Sequence, residues 1–217
     1  MALFVVATPI GNPKDFTARA LETLRGADLI IGEEMKALRG ILRAAGVAGT
    51  LVDELNEHSR PADVSHFVNE AREKKVVLVS DCGTPGFCDP GADLVAACVL
   101  NGVPVRSVPG PSSLMALLSV CGVRLDEFMF AGFLPAKKEA REQKLEALSE
   151  LAVPFVVMET PYRCEQLLSD LARVFADRRC VVGLDLSTNA EKVLRNLGRK
   201  LEQVKGDHEP IALVLGK

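Results

Sequence analysis

An alternation constrains this chain more than any other feature. Runs of aliphatic and β-branched residues recur at positions 3–7, 29–32, 76–80, 103–108, 128–130, 155–158, 180–184 and 211–215. Between most of them the apolar residues follow a helical period, stepping by three and four through Leu21, Leu24, Leu38, Ile41 and Leu42, through Val64, Phe67, Val68 and Ala71, and through Leu167, Leu168, Leu171, Val174 and Phe175. Strand followed by helix, repeated, predicts an α/β fold. Asp15 stands as the cap before the first helical pattern, and Asn101-Gly102 closes the one that opens near Gly91. The strongest interruption is Val108-Pro109-Gly110-Pro111-Ser112-Ser113, whose hydroxyls can cap an apolar helix over 114–120. It predicts two α/β domains, 1–110 and 111–217.

At 217 residues, either one large domain or two small ones can bury a core. The 26 Lys and Arg against 29 Asp and Glu leave the bulk charge silent about nucleic acid, because phosphate is met by a local basic face and not by a sum. Six scattered cysteines without a CxxC pair argue against a disulfide framework and fit a reducing cytoplasm. No basic stretch precedes the short apolar run at the start, and no apolar run approaches the ~18 residues of a membrane span, so no membrane role is expected.

The common motifs are missing. After the first strand comes Thr8-Pro9-Ile10-Gly11-Asn12-Pro13 and not G-x-G-x-x-G, which removes the ordinary dinucleotide reading. Gly86 and Gly91 have P-loop spacing, but Ala92 stands where lysine is required. His58, His66 and His208 lack metal-ligand spacing, so no metal is expected, and no G-x-S-x-G elbow is present.

What the sequence offers instead is three loops after predicted strands, each rich in Gly, Pro and hydroxyl residues: 8–13, 80–91 and 109–113. Such loops at the carboxyl ends of an open sheet expose backbone groups to ligands. The second, taken alone, reads equally as an acidic turn with a helix cap at Asp89. Taken in order, Thr-Pro-Ile-Gly-Asn-Pro, Ser80-Asp81-Cys82-Gly83-Thr84-Pro85 with Asp89-Pro90-Gly91, Pro109 to Ser113, Gly132-Phe133-Leu134-Pro135 and Glu159-Thr160-Pro161-Tyr162-Arg163 resemble the tetrapyrrole methylase superfamily over residues 3–216. Within it the resemblance is greatest to the enzymes that methylate a cytidine 2′-oxygen of small-subunit ribosomal RNA.

The resemblance implies a dimeric, two-domain methyltransferase that binds S-adenosylmethionine (SAM) in a cleft between its domains. By motif, the cofactor contacts fall on Pro9 and Gly11, on Asp81, Gly83 and Thr84, on Ser112 and Ser113, and then on Met158, Pro210 and Ala212. Met158 reads equally as a core residue and Ser112 as a helix cap. A ribose hydroxyl must lose a proton, for which Glu33, Glu34, Glu159 and Tyr162 are candidates; Glu33 is the choice, with Arg163 orienting a phosphate. These carboxylates read equally as ion-pair partners.

The substrate side departs from the family. Glu33-Glu34-Met35-Lys36 replaces Glu-Asp-Thr-Arg, Tyr162 replaces His before Arg163, Leu184-Asp185-Leu186-Ser187-Thr188 replaces Arg-Glu-Leu-Thr-Lys, and Gly206-Asp207-His208-Glu209 replaces a basic loop. Lys36, Arg39 and Arg43 on one helix, and Lys137, Lys138, Arg141 and Lys144 on another, read as solvated faces or as an RNA surface. Three readings stand: ribose 2′-O-methylation of ribosomal RNA, a precorrin-type tetrapyrrole C-methyltransferase, and a non-catalytic SAM-binding protein.

Overall fold

The computed structural model describes residues 1–56, 58–86, 88, 91–201 and 203–216. The chain divides into two units, Met1–Ser112 and Ser113–Lys217.

The first unit holds β1 (Ala2–Val6), α1 (Ala18–Arg25), β2 (Leu29–Gly32), α2 (Met35–Ala45), β3 (Leu51–Glu54), α3 (Pro61–Glu73), β4 (Lys75–Leu78), α4 (Gly91–Leu100) and β5 (Val105–Val108). Its strands are all parallel, in the order β3-β2-β4-β1-β5. Both faces are buried, which is why the strands read as continuous apolar runs and not as alternation. Leu3, Leu29, Ile31, Val76 and Leu78 point to one face, under Phe67, Val68 and Ala71 of α3 and Leu94 and Cys98 of α4. Val6, Ile30, Val77 and Val79 point to the other, under Ala20 and Leu24 of α1 and Leu38 and Leu42 of α2.

β1 and β4 are neighbours, yet β1 leads to a helix on one face and β4 to a helix on the other. A pair of neighbouring strands whose connections leave to opposite faces marks the switch point at whose carboxyl ends open α/β sheets bind ligands. The cap of α1 is Thr17, whose hydroxyl oxygen accepts the Ala20 N–H at 3.1 Å, and not Asp15, which ends a 3₁₀ turn at Pro13–Asp15. Three residues from the helix start is the distance at which a side-chain oxygen meets a free helical N–H, and Asp15 is two residues too early. Asn101-Gly102 does follow α4, with Gly102 at φ +69°.

The second unit holds α5 (Ser113–Val120), β6 (Met129–Phe133), α6 (Lys138–Ser149), β7 (Phe155–Met158), α7 (Cys164–Val174), β8 (Arg179–Leu184), β9 (Lys192–Leu197) and β10 (Pro210–Val214). The strand order is β6-β7-β10-β8-β9, with only β6 and β7 parallel. Leu145 and Leu148 of α6 and Leu167, Leu168 and Leu171 of α7 pack on Phe155, Val157, Val182, Ala212 and Val214. α5 lies against β10 and β8. Among the described residues no helix is long and apolar enough to cross a membrane.

Candidate functional site

In the first unit, the loops after β1, β4 and β5 are fastened to each other by backbone groups. The Thr8 N–H donates to Gly83 O at 2.8 Å, and the Thr8 hydroxyl, fully buried, is 3.2 Å from Ser80 O. The Ser80 hydroxyl donates in turn to Gly83 O at 3.2 Å, and the Thr84 hydroxyl donates to Pro111 O at 2.9 Å. Two glycines permit this closeness. Gly83 has φ +81°, and a Cβ there would lie 3.2 Å from Ile10 Cγ2; a Cβ on Gly110 would lie 3.1 Å from that of Ala7. Only a residue without a side chain fills the first position free of strain.

Asp81 extends the assembly toward β2, because its Oδ1 accepts the Glu34 N–H at 3.3 Å. Glu33, partly buried, follows β2 directly. Pro9 is partly buried and Gly11 exposed, while Asn12 Oδ1 accepts the Lys14 N–H at 3.0 Å and fixes the turn that ends the first loop. Pro9, Gly11, Glu33, Asp81, Gly83, Thr84 and Ser112 thus all lie on carboxyl-end loops of a single sheet. Together they offer two carboxylates, small residues and turned backbone, which suits a ligand with hydroxyl and amino groups.

In the second unit, Ser113 opens α5, and Met158 ends β7 opposite Ile211. Pro210 opens β10 opposite Leu184, and its carbonyl accepts the Glu159 N–H at 3.3 Å. Ala212 is fully buried, with its methyl in the core beneath α6 and α7 and with Val157 and Val182 opposite it on the neighbouring strands.

Arg163 stands at the end of a 3₁₀ turn, Pro161–Arg163, and its Nη2 pairs with Glu159 Oε1 at 2.6 Å. Glu159 is fully buried at its side chain and also pairs with Arg141, which reaches Asp170 through Nε at 2.7 Å. Asp170 binds Arg173, which binds Glu142. This network was not foreseen: Arg141, expected on a basic helix face, is only 2% exposed. The signal was in the spacing, since Arg141, Leu145 and Leu148 stand at i, i+4 and i+7 and so share the buried side of α6. Glu159, held between two guanidinium groups, is a structural anion.

The two segments that depart from the family meet each other. Asp185 Oδ2 lies 2.5 Å from His208 Nδ1, and Asp185 Oδ1 accepts the Glu209 N–H at 2.8 Å. Asp185 and Ser187 both have positive φ, at 49° and 68°, and the Asp185 carbonyl accepts the Thr188 hydroxyl at 2.8 Å. The hydrogen bond to Asp185 raises the His208 pKa above its ordinary value. Burial pushes the thiols of Cys164 and Cys180 up to about 11 and about 12, which leaves both as unreactive core groups near neutral pH. Among the described residues no three His, Cys, Asp or Glu side chains converge as a metal site.

Comparison with known proteins gives the fold its relatives. The chain is 39% identical to the ribosomal RNA small subunit methyltransferase I of Neisseria meningitidis serogroup B over 193 residues, 88% of this chain and 66% of that protein. It is 37% identical to the protein of the same name from Pseudomonas aeruginosa, over 88% of this chain and 68% of that protein, and 32% identical to that of Leptospira biflexa, over 94% and 88%. The chain thus spans about two thirds of the length of the first two relatives. A crystal structure of diphthine synthase superposes with a TM-score of 0.76 at 18% identity, covering 100% of this chain and 90% of that one. The uroporphyrin-III C-methyl transferase of Thermus thermophilus, complexed with S-adenyl homocysteine, superposes with a TM-score of 0.67 at 17% identity, covering 99% and 97%. At such identities these two likenesses concern the fold. The family of tetrapyrrole (corrin/porphyrin) methylases matches residues 2–202, and the chain belongs to it.

Proposed function

We propose that this chain is a SAM-dependent methyltransferase that methylates a ribose 2′-oxygen of small-subunit ribosomal RNA. The observation that carries the reading is the cradle at the carboxyl ends of β1, β4 and β5. There Gly83 turns through φ +81° and the hydroxyls of Thr8, Ser80 and Thr84 are all spent on backbone carbonyls. A side chain at position 83 would press on Ile10 and hold these loops apart, so the glycine keeps them closed and leaves backbone as the surface offered to a ligand. The names of the relatives in Neisseria, Pseudomonas and Leptospira support RNA as the acceptor.

In this reading Pro9, Gly11, Asp81, Gly83, Thr84 and Ser112 hold the cofactor, with Ser113, Met158, Pro210 and Ala212 contributed by the second unit. SAM, when bound, supplies an electrophilic methyl on a sulfonium. The chain's own residues align the acceptor oxygen and keep water out. Glu33 takes the proton of the 2′-hydroxyl on a carboxylate oxygen as the new O–C bond forms. Arg163, committed to Glu159 through Nη2 and to Thr160 through Nε, acts by fixing the turn after β7, and buried Nη1 is the donor nitrogen left for a phosphate.

The protein acts as a homodimer in the cytoplasm. α4 supports the first point: its outer face carries exposed Ala92, Ala96, Val99 and Leu100, an apolar surface suited to a second copy. The buried thiols of Cys98, Cys121, Cys164 and Cys180 support a reducing setting.

The test is transfer of labelled methyl from SAM to undermethylated small ribosomal subunits, to free ribosomal RNA, and to a precorrin-type tetrapyrrole. Label in a ribose of the RNA is expected. Label in the tetrapyrrole alone would overturn the acceptor, and tight SAM binding without label in any fraction would make the chain a binding protein.

A further inference from the structure

Helix α2 carries a row of cations that the fold does not use. Lys36, Arg39 and Arg43 stand at i, i+3 and i+7, all exposed, opposite the buried face of Leu38, Leu42 and Ala45. None of the three is in an ion pair among the described residues. Arg141 on α6, by contrast, is buried and paired with both Glu159 and Asp170. The row lines an open cavity of about 530 Å³ together with Glu34, Met35 and Glu54, and Glu54 already accepts from the Asn56 side chain at 2.7 Å.

Gly40 lies on the same face, between Lys36 and Arg43. In a helix interior a glycine costs about 1 kcal/mol relative to alanine. Most such glycines are excused by packing, but a Cβ on Gly40 would meet nothing within 4 Å. Its bare backbone therefore has no steric reason inside the unit, and it stands one turn after Lys36, on the flank of the cation row. The helix also starts at the candidate site, because Asp81 accepts the N–H of Glu34, the residue that precedes α2.

We infer that this groove binds the ribose–phosphate backbone of the RNA acceptor, with phosphates on Lys36, Arg39 and Arg43 and the strand leaving the groove past Lys36 over the bare backbone of Gly40. The inference rests on the RNA reading of the function. From Lys36 to Arg43 the helix rises about 10 Å, long enough to meet more than one phosphate of a strand. Only Met35 offers the cavity an apolar anchor, which is poor for a protein partner and immaterial to a polyanion.

The test uses the full chain and a short mixed-sequence single-stranded RNA, with binding followed by fluorescence anisotropy across a salt series. The triple variant K36A/R39A/R43A is expected to lose on the order of tenfold or more in affinity near physiological salt. Its log–log salt slope should become shallower by about 2, while affinity for S-adenosylhomocysteine stays unchanged. Gly40→Gln keeps every charge and favours the helix, so it should raise resistance to urea yet weaken RNA binding several-fold; unchanged RNA binding in that variant would overturn the close approach. Wild-type binding with an unaltered slope in the triple variant would place the RNA elsewhere and leave the proposed function standing. Failure of the wild type both to bind and to methylate RNA would remove function and groove together. Equal binding of a polyglutamate peptide, lost equally in the triple variant, would make the groove a site for acidic protein and overturn the inference.

Discussion

Gly83 and His208 show how much single positions control. At Gly83 a valine meets two penalties: φ +81° is strained for a β-branched residue, and its Cβ would press on Ile10 at 3.2 Å. Gly83→Val is expected to cost on the order of 1–3 kcal/mol of stability and to abolish measurable S-adenosylhomocysteine binding in calorimetry; binding at wild-type strength would move the proposed pocket away from this loop. His208 gives a pH dependence. Its folded pKa is raised, first by the hydrogen bond to Asp185, with the Lys205 carbonyl assisting and Lys192 opposing. A raised pKa means that the folded state holds the proton more tightly, so this stabilisation is complete below the unfolded value of about 6.5 and is lost as pH rises through the folded value. Glu209, its pKa raised by burial and by Asp185, acts with the same sign from a lower starting pH. Melting temperature should therefore fall as pH rises above about 6.5, and Asp185→Asn should flatten that fall; identical profiles in the two proteins would show that the pair carries no linkage. The sequence disclosed the glycine through its loop but not the histidine, because residues 185 and 208 become neighbours only when β8 and β10 pair.

At the scale of elements, the sequence disclosed strands with two neighbours and missed some with one. β3 and β9 were not foreseen, and both are sheet edges. With one side open, they carry Asp53, Glu54, Lys192, Arg195 and Asn196, and this polar content hides the strand signal. The same blindness affected α6, where Arg141 looked like surface until its partners came from α7 and the end of β7. That network pins three elements by charge in a buried setting. Removing one member leaves the others desolvated and unpaired, which in general costs about 3–5 kcal/mol. Glu159→Ala is thus expected to lower unfolding free energy in urea by that order, with Arg163 left without its carboxylate and Arg141 left with Asp170 alone. A loss below about 1 kcal/mol, the size expected of a surface pair, would mean that water reaches the guanidinium groups.

For the whole molecule, the α/β class was legible because helices intervene between nearly all strands of the first unit, and a helical crossover is what parallel pairing requires. The mixed second sheet was not, since between β8 and β10 the described residues offer no α-helix, only the unforeseen β9 and a short 3₁₀ turn at Gly198–Lys200. Each unit has its own core, one pair of clusters around Leu3, Ile31, Val6 and Leu38, the other around Phe155, Leu167 and Ala212. A ligand stabilises what it touches, by about 2.7 kcal/mol at a hundredfold excess over its dissociation constant, so the proposed contacts can be divided between the units by experiment. With excess S-adenosylhomocysteine, amide exchange should slow in the loops 80–84 and 109–112 of the first unit. If Met158 and Pro210 also touch the cofactor, it should slow at 158–160 and 208–210 as well, where Asp185 and Glu159 already tie the backbone through Glu209 and Thr160. Protection confined to the first set would remove Ser113, Met158, Pro210 and Ala212 from the cofactor contacts and leave the loops of the first sheet as the whole binding site.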